Sequence, residues 1–296
     1  MRRVIVVLLV AGWVLVGQAA QKKGAKVFIS VDMEGIWGVV NSEQISPGAE
    51  YGNARSWMAG DTNAVIEGLL EAGATEIVVN DSHGSMRNIV ASDLNPRASL
   101  ITGTPKPLSM MQGIDPSFDA ALFIGYHARA GSAPAILDHT ISSASVRAVR
   151  INGKELPEMG INGAIAGYYG VPVIMLSGDT ETCAQAKAIF GSEFVTVAVK
   201  EAIGRTAARL LPLEEARRRL RESAKDALAK RGSIPPYKLS PPYTFELELN
   251  SSLQAEPAML IPGVRRVNPR TVTFGATDYI EGFKLLRGLI ALAAAS

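Results

Sequence analysis

The chain has 296 residues, 47% hydrophobic and 20% charged, with a formal net charge of +2. That balance suits a folded protein with a sizeable core and excludes disorder over its bulk. The near-neutral charge offers no basic face for nucleic acid or an anionic membrane, and a single cysteine, Cys183, excludes an intrachain disulfide.

Residues 1–20 read as a signal peptide. Arg2 and Arg3 precede an apolar run from Val4 to Val16, and small residues come after it around Gly17-Gln18-Ala19-Ala20. The run is shorter than the about 20 residues of a membrane span, so cleavage is expected to leave no stable span. An uncleaved anchor is the alternative. No cysteine stands directly after the run, which removes a lipid anchor of the lipoprotein kind. Loss of Arg2 and Arg3 leaves the rest formally neutral. A leader of this type implies a periplasmic or secreted protein.

Ala25 to Asp32 predicts a strand buried on both faces near its end. Asn53 to Ala72 predicts a helix, stopped by Gly73, and Glu76 to Asn80 a second strand. Such a β-α-β unit favours parallel pairing. Ala120 to Gly125 is a further buried strand. Ser145 to Ile151 is a strand running into a turn at Asn152-Gly153. A helix over Gly163–Tyr169 leads to a strand over Val171–Leu176, with Pro172 near its start. A helix over Thr180–Phe190 leads to a strand over Phe194–Val199. Cys183 falls within that helical pattern and reads as packed rather than reactive.

The character then changes. Leu213 to Lys230 is a charged, arginine-rich amphipathic helix, and prolines at 235, 236, 241 and 242 interrupt the chain after it. Phe245–Leu249 and Thr271–Phe274 alternate as half-exposed strands do, and Asp278 to Ala294 is a closing helix. The expected fold class is α/β, a mostly parallel central sheet flanked by helices with a smaller C-terminal α+β part. The expected division is a catalytic α/β domain over 21–212 and a lobe over 213–296 as candidate oligomer interface. The arginine-rich helix reads equally well as a solvated surface.

All three histidines fall just after a predicted strand or in the loop beyond it. His83 follows the strand ending at Asn80, His127 the strand ending at Gly125, and His139 lies twelve residues further on. Asp32 and Glu34 follow the first strand, two apart and so on one face. Ligands in open α/β sheets gather at the carboxyl ends of strands. Two carboxylates so close repel unless a cation lies between them, and with two imidazoles they suit zinc. Taken singly, each also fits a turn or a helix cap. Asn80, Asp81 and Ser82 read either as groups that fix the tautomer of His83 or as a turn capping the next helix. No HExxH helix, P-loop, GxGxxG or GxSxG competes.

These stretches carry a resemblance. Ser-Val-Asp-Met-Glu-Gly at 30–35, Val-Asn-Asp-Ser-His at 79–83, Gly-Tyr-His-Ala-Arg-Ala at 125–130, Asp138-His139, Pro-Glu-Met-Gly-Ile-Asn at 157–162 and Val199-Lys200 occur in order. The chain resembles the bacterial D-aminopeptidases of the dipeptide-operon (DppA) type, binuclear zinc peptidases, over nearly all of its length after the leader. The resemblance implies two Zn²⁺ per chain, with Asp32 bridging both, Glu34 and His83 as further ligands, and His127 and Glu158 on the second metal. Glu158 enters by resemblance alone. It implies His139 as the catalytic residue, for proton transfer or, alternatively, as a nucleophile. The loop from His127 to His139 is one residue longer than the family pattern, and the leader departs from a best-known member that is cytoplasmic. The resemblance also implies a homo-oligomer, a decamer of two stacked pentamers. The expected function is an exported two-zinc metallopeptidase that uses metal-activated water to remove N-terminal residues, D-amino acids above all, from short peptides. The alternatives are a zinc amidase or hydrolase for another small substrate, and a non-catalytic periplasmic protein that binds metal or peptide.

Overall fold

The computed structural model describes residues 24–296, so the signal-peptide reading at 1–20 lies outside the described residues. In chain order the strands are β1 (Ala25–Val31), β2 (Ala74–Asp81), β3 (Ala98–Ile101), β4 (Ala120–Ile124), β5 (Val146–Ile151) and β6 (Lys154–Glu155). They continue with β7 (Val173–Asp179), β8 (Val195–Gly204), β9 (Ala207–Leu210), β10 (Tyr243–Leu249), β11 (Arg265–Asn268) and β12 (Thr271–Ala276). The helices are α1 (Tyr51–Glu71), α2 (Glu158–Tyr168), α3 (Thr180–Phe190), α4 (Leu213–Ala229), the single turn α5 (Ser252–Ala255) and α6 (Tyr279–Ala294).

Seven strands form one sheet in the order β3-β2-β1-β4-β7-β8-β9. All its pairs are parallel except β8 with the edge strand β9. The central strands are apolar on both sides. In β1, Val27, Ile29 and Val31 enter one core with α1 and α4, while Phe28 enters the other, which α2 and the second sheet share. Each such side chain contributes roughly 1.5–3 kcal/mol on burial, enough to hold β1 in the middle of the sheet. The chain runs outward from β1 through β2 to β3, then returns to place β4 on the other side of β1. That reversal opens a crevice at the carboxyl ends of β1 and β4.

The second sheet is antiparallel, in the order β11-β12-β10-β5-β6. The fold is therefore the expected α/β class. The division at 213 does not follow the sheets, however. β5 and β6 precede it yet pair into the antiparallel sheet, and α4 follows it yet packs on α1, β7 and β8. The reason is a stripe of Ala216, Leu220, Ala224, Ala227 and Leu228, which buries one face of α4 in the core shared with α1. Its arginines pair with carboxylates, Arg217 Nε lying 3.6 Å from the buried Asp61 of α1. Arg218 and Arg219 pair with Glu215, and Arg221 pairs with Glu71 of α1.

Other boundaries differ from the sequence pattern for local reasons. Helix α2 starts at Glu158 rather than Gly163, because Pro157 sits at its N-cap, where its fixed φ of −68° suits a helix start. Gly160 and Gly163 lower the helix propensity of that stretch and hide its first turns from a sequence reading. β8 runs on to Gly204 and turns back into β9, and the short β3 has no clear counterpart in the sequence pattern. Cys183 is buried in α3, and burial pushes its thiol up to about 12. None of the described helices is long and apolar enough to cross a membrane.

Candidate metal centre

The loop after β1 lies against the loop after β4. Asp32 N–H donates to the Ile124 carbonyl and Gly35 N–H to the Gly125 carbonyl, both at 2.8 Å. This approach requires glycine on each side. A Cβ at Gly35 would lie 1.9 Å from the Tyr126 carbonyl oxygen, and Gly125 has a φ of +69° with Asp32 O 2.3 Å from a Cβ position. Lys200, fully buried on β8, secures the same loop. Its Nζ donates to the carbonyls of Glu34 and Ile36 at 2.7 Å and also to that of Val39. Burial lowers its pKa to about 7, and Asp179, Asp61 and Glu34 only partly oppose this.

Six side chains converge at this crevice. His83 Nδ1 lies 3.2 Å from Asp32 Oδ1 and 3.1 Å from Glu34 Oε2. His127 Nε2 lies 3.4 Å from Asp32 Oδ2 and 3.2 Å from Glu158 Oε1. His139 Nε2 lies 3.5 Å from Glu158 Oε1 and 4.0 Å from Glu34 Oε1. The ring of His139 stacks on that of His127, with centroids 3.9 Å apart. Glu158 arrives at the first position of α2, and its Oε1 accepts the Ile141 N–H at 2.6 Å.

Each imidazole is oriented by a backbone carbonyl on its far side. His83 Nε2 faces Ile45 O at 2.9 Å, His127 Nδ1 faces Ala128 O at 3.0 Å, and His139 Nδ1 faces Leu137 O at 3.0 Å. A carbonyl can only accept, so those nitrogens carry the protons. The other nitrogen of each ring faces the carboxylates, where it can give them a proton or, with a cation bound, offer the ion its lone pair.

Three sets of donors lie close enough to hold a cation: Asp32-Glu34-His83, Asp32-His127-Glu158 and Glu34-His127-His139. Asp32 belongs to the first two and points a different oxygen at each, Oδ1 toward His83 and Oδ2 toward His127. His127 Nε2 is buried without a hydrogen-bond partner among the described residues. Such an orphan is costly unless a partner of another kind, such as a cation, engages it.

The electrostatics fit the same reading. Burial, with Glu34 beside it, raises Asp32 to about 7. Burial also pushes Glu34 and Glu158 up, but the histidines outweigh it. His83 leads in holding Glu34 well below the carboxylate range, and His127 leads in holding Glu158 at about 2. Burial disfavours charge on His127, yet Glu158, Glu34 and Asp32 raise it to about 10. His139 differs, because burial and then His127 lower its pKa. Three carboxylates and three imidazoles in one buried cluster match the oxygen and nitrogen donors that zinc prefers where thiolates are absent.

The six residues expected from sequence are thus brought together. Other expectations need correction. Asn80, Asp81 and Ser82 do not set the tautomer of His83, since the Ile45 carbonyl does that. Asp81 instead accepts from the backbone N–H groups of Asn88 and Ile89 and from Asn88 Nδ2, at 2.6–2.7 Å, which closes the loop after β2. Asp138, beside His139, pairs with Arg205. Sequence reasoning gave no role to Lys200, which fixes the loop bearing Glu34. Nor did it give one to Tyr126, whose hydroxyl bridges Ser30 and Asn162 beneath the site at 2.8 and 3.1 Å. Both sit inside the stretches that carry the family resemblance, which is the signal that could have found them.

Residues 25–288 match the family model described as D-aminopeptidase. The chain belongs to the D-aminopeptidase family. It is 38% identical over 272 residues to the D-aminopeptidase of Bacillus subtilis strain 168, an alignment covering 90% of this chain and 97% of that protein. Its fold is similar to the solved structure of the Zn-dependent D-aminopeptidase DppA from Bacillus subtilis, described as a self-compartmentalizing protease. That match has a TM-score of 0.89 at 35% identity and covers 92% of this chain and 98% of the other. As a D-aminopeptidase family member the chain is a zinc-dependent aminopeptidase hydrolase, with the donor cluster above as its candidate metal centre.

Proposed function

We propose that this chain is an exported two-zinc aminopeptidase that removes N-terminal D-residues from short peptides. The observation that carries the two-metal reading is Asp32, whose two oxygens are divided between two separate donor sets. Asp32, Glu34 and His83 would hold one ion, and Asp32, His127 and Glu158 the other. Zinc held there supplies Lewis acidity, which makes water nucleophilic near neutral pH and polarises a carbonyl.

The chain's own residues do the rest. His139, Asp32, Glu34, His83 and Glu158 reach the wall of a cavity of about 460 Å³, while His127 lies beneath it. His139 presents an unprotonated Nε2 to that cavity. It can take a proton from the attacking water and return it to the departing peptide nitrogen. The D-preference is supported by the relative's name, and assembly into a closed homo-oligomer by that relative's description as self-compartmentalizing. Leu260 at 82% exposure and Ile203 at 69% are apolar surface available to such an assembly.

The protein purified without chelator is expected to carry two zinc ions per chain by elemental analysis. It should cleave D-Ala-D-Ala faster than L-Ala-L-Ala. Fewer than one zinc per chain would remove the two-metal reading, and a preference for the L-peptide would remove the stereochemical one. Export is tested separately. Fractionation of expressing cells should place the protein outside the cytoplasm with a new N-terminus near residue 21, and an intact Met1 in the cytosol would refute it.

A further inference from the structure

The wall of the cavity over the metal centre also carries a cation. Helix α6 contributes Phe283 and Arg287 to its wall, one turn apart on the same face. Arg287 is partly buried. Loss of water lowers its pKa, only Glu158 opposes this, and no hydrogen bond does so. Among the described residues its guanidinium has no ion-pair partner. The other arginine on the wall, Arg205, is already engaged, with Nε 2.9 Å from Asp138 Oδ1 and Nη2 3.2 Å from the Asp138 carbonyl.

A guanidinium withdrawn from water without an acceptor is costly, and its five donors match a carboxylate in two parallel bonds. Zinc held by Asp32, Glu34 and Glu158 would offset their charge, so the unpaired guanidinium of Arg287 is the group on this wall suited to a ligand carboxylate. A free peptide offers a carboxylate to Arg287, and a cavity of about 460 Å³ accommodates a ligand of only a few residues.

We infer that Arg287 binds the free α-carboxylate of a short peptide whose amino end lies at the metal centre. This rests on the peptidase reading above and adds how substrate length and orientation are set. Arg287 acts on specificity and takes no part in bond breaking.

The test uses the zinc-loaded full chain and two ligands that differ only in terminal charge, D-Ala-D-Ala and D-Ala-D-Ala amide. The wild-type protein should prefer the free acid by about 10- to 100-fold in kcat/KM, the range of a lost charge-assisted contact. Arg287→Gln should abolish that preference, chiefly through KM, and Arg287→Lys should keep part of it. Equal loss on both ligands, or a preference that survives in Arg287→Gln, overturns the inference. A change of assembly state by light scattering without a change of preference also overturns it. Calorimetry on zinc-loaded His139→Ala separates this result from the activity itself. If the acid binds more tightly than the amide and Arg287→Gln removes the difference, the inference holds even where no peptide is cleaved. If acid and amide bind alike, it fails whatever the activity.

Discussion

Asp32→Asn is expected to reduce zinc from two ions per chain to one or none and to lower kcat/KM by more than about 1,000-fold. The size reflects the loss of several kcal/mol of metal-derived stabilisation at the reacting carbonyl. The substitution keeps the shape of the side chain but removes the charge common to two donor sets. Its neighbours should behave differently. His83 belongs only to the set with Asp32 and Glu34, and Glu158 only to the set with Asp32 and His127. His83→Ala and Glu158→Gln are therefore each expected to lose one ion and retain the other. Thermal denaturation gives a second readout. Zinc at about 100 times its dissociation constant stabilises by about 2.7 kcal/mol per site, or roughly 5–10 °C for a protein of this size. Asp32→Asn should lose most of that zinc-dependent rise. A variant that keeps both ions and the full rise would show that Asp32 bridges nothing.

The origin of this geometry shows how far the sequence could be read. Asp32, Glu34, His83 and His127 were legible because each stands within three residues of a strand end, and strand ends are found from apolar runs. Those four alone suggest a metal site but do not resolve it from ordinary caps. Glu158 has no such marker. It comes from the first turn of α2, where Pro157 and two nearby glycines blur the helical pattern, and only the fold carries that turn to the crevice. Lys200 was harder still. It reaches the loop bearing Glu34 across 166 positions of chain, and nothing local to residue 200 announces a buried ammonium with three carbonyl partners. The antiparallel sheet was half legible. β10 and β12 alternate visibly, but the pairing of β10 with β5 is a long-range contact that periodicity does not encode. That pairing is also why the division expected at 213 does not follow the sheets.

His139→Ala is expected to keep the zinc content of the wild type and to lower kcat by about 100- to 10,000-fold, the usual worth of a positioned acid-base group. Geometry supports the separation of roles. His127 Nε2 lies deepest, at 3.2 and 3.4 Å from two carboxylates of one donor set, and does not reach the cavity. His139 Nε2 is further from its carboxylates, at 3.5 and 4.0 Å, and stands on the cavity wall. Its proton sits on Nδ1, held by the Leu137 carbonyl, so Nε2 is free to accept one. Burial and then His127 keep its pKa below the ordinary 6.5. The sign is then fixed, because a base works in its neutral form. Activity should be full above pH 6.5 and fall as the pH drops through the lowered value. Added imidazole should restore part of the turnover of His139→Ala, since the truncated side chain leaves room beside the stacked ring of His127. The competing arrangement is specific, because His139 also stands in a third donor set with Glu34 and His127. If His139→Ala loses an ion along with its activity, that set is a real ligand shell. The proton would then have to be carried by another group on the cavity wall.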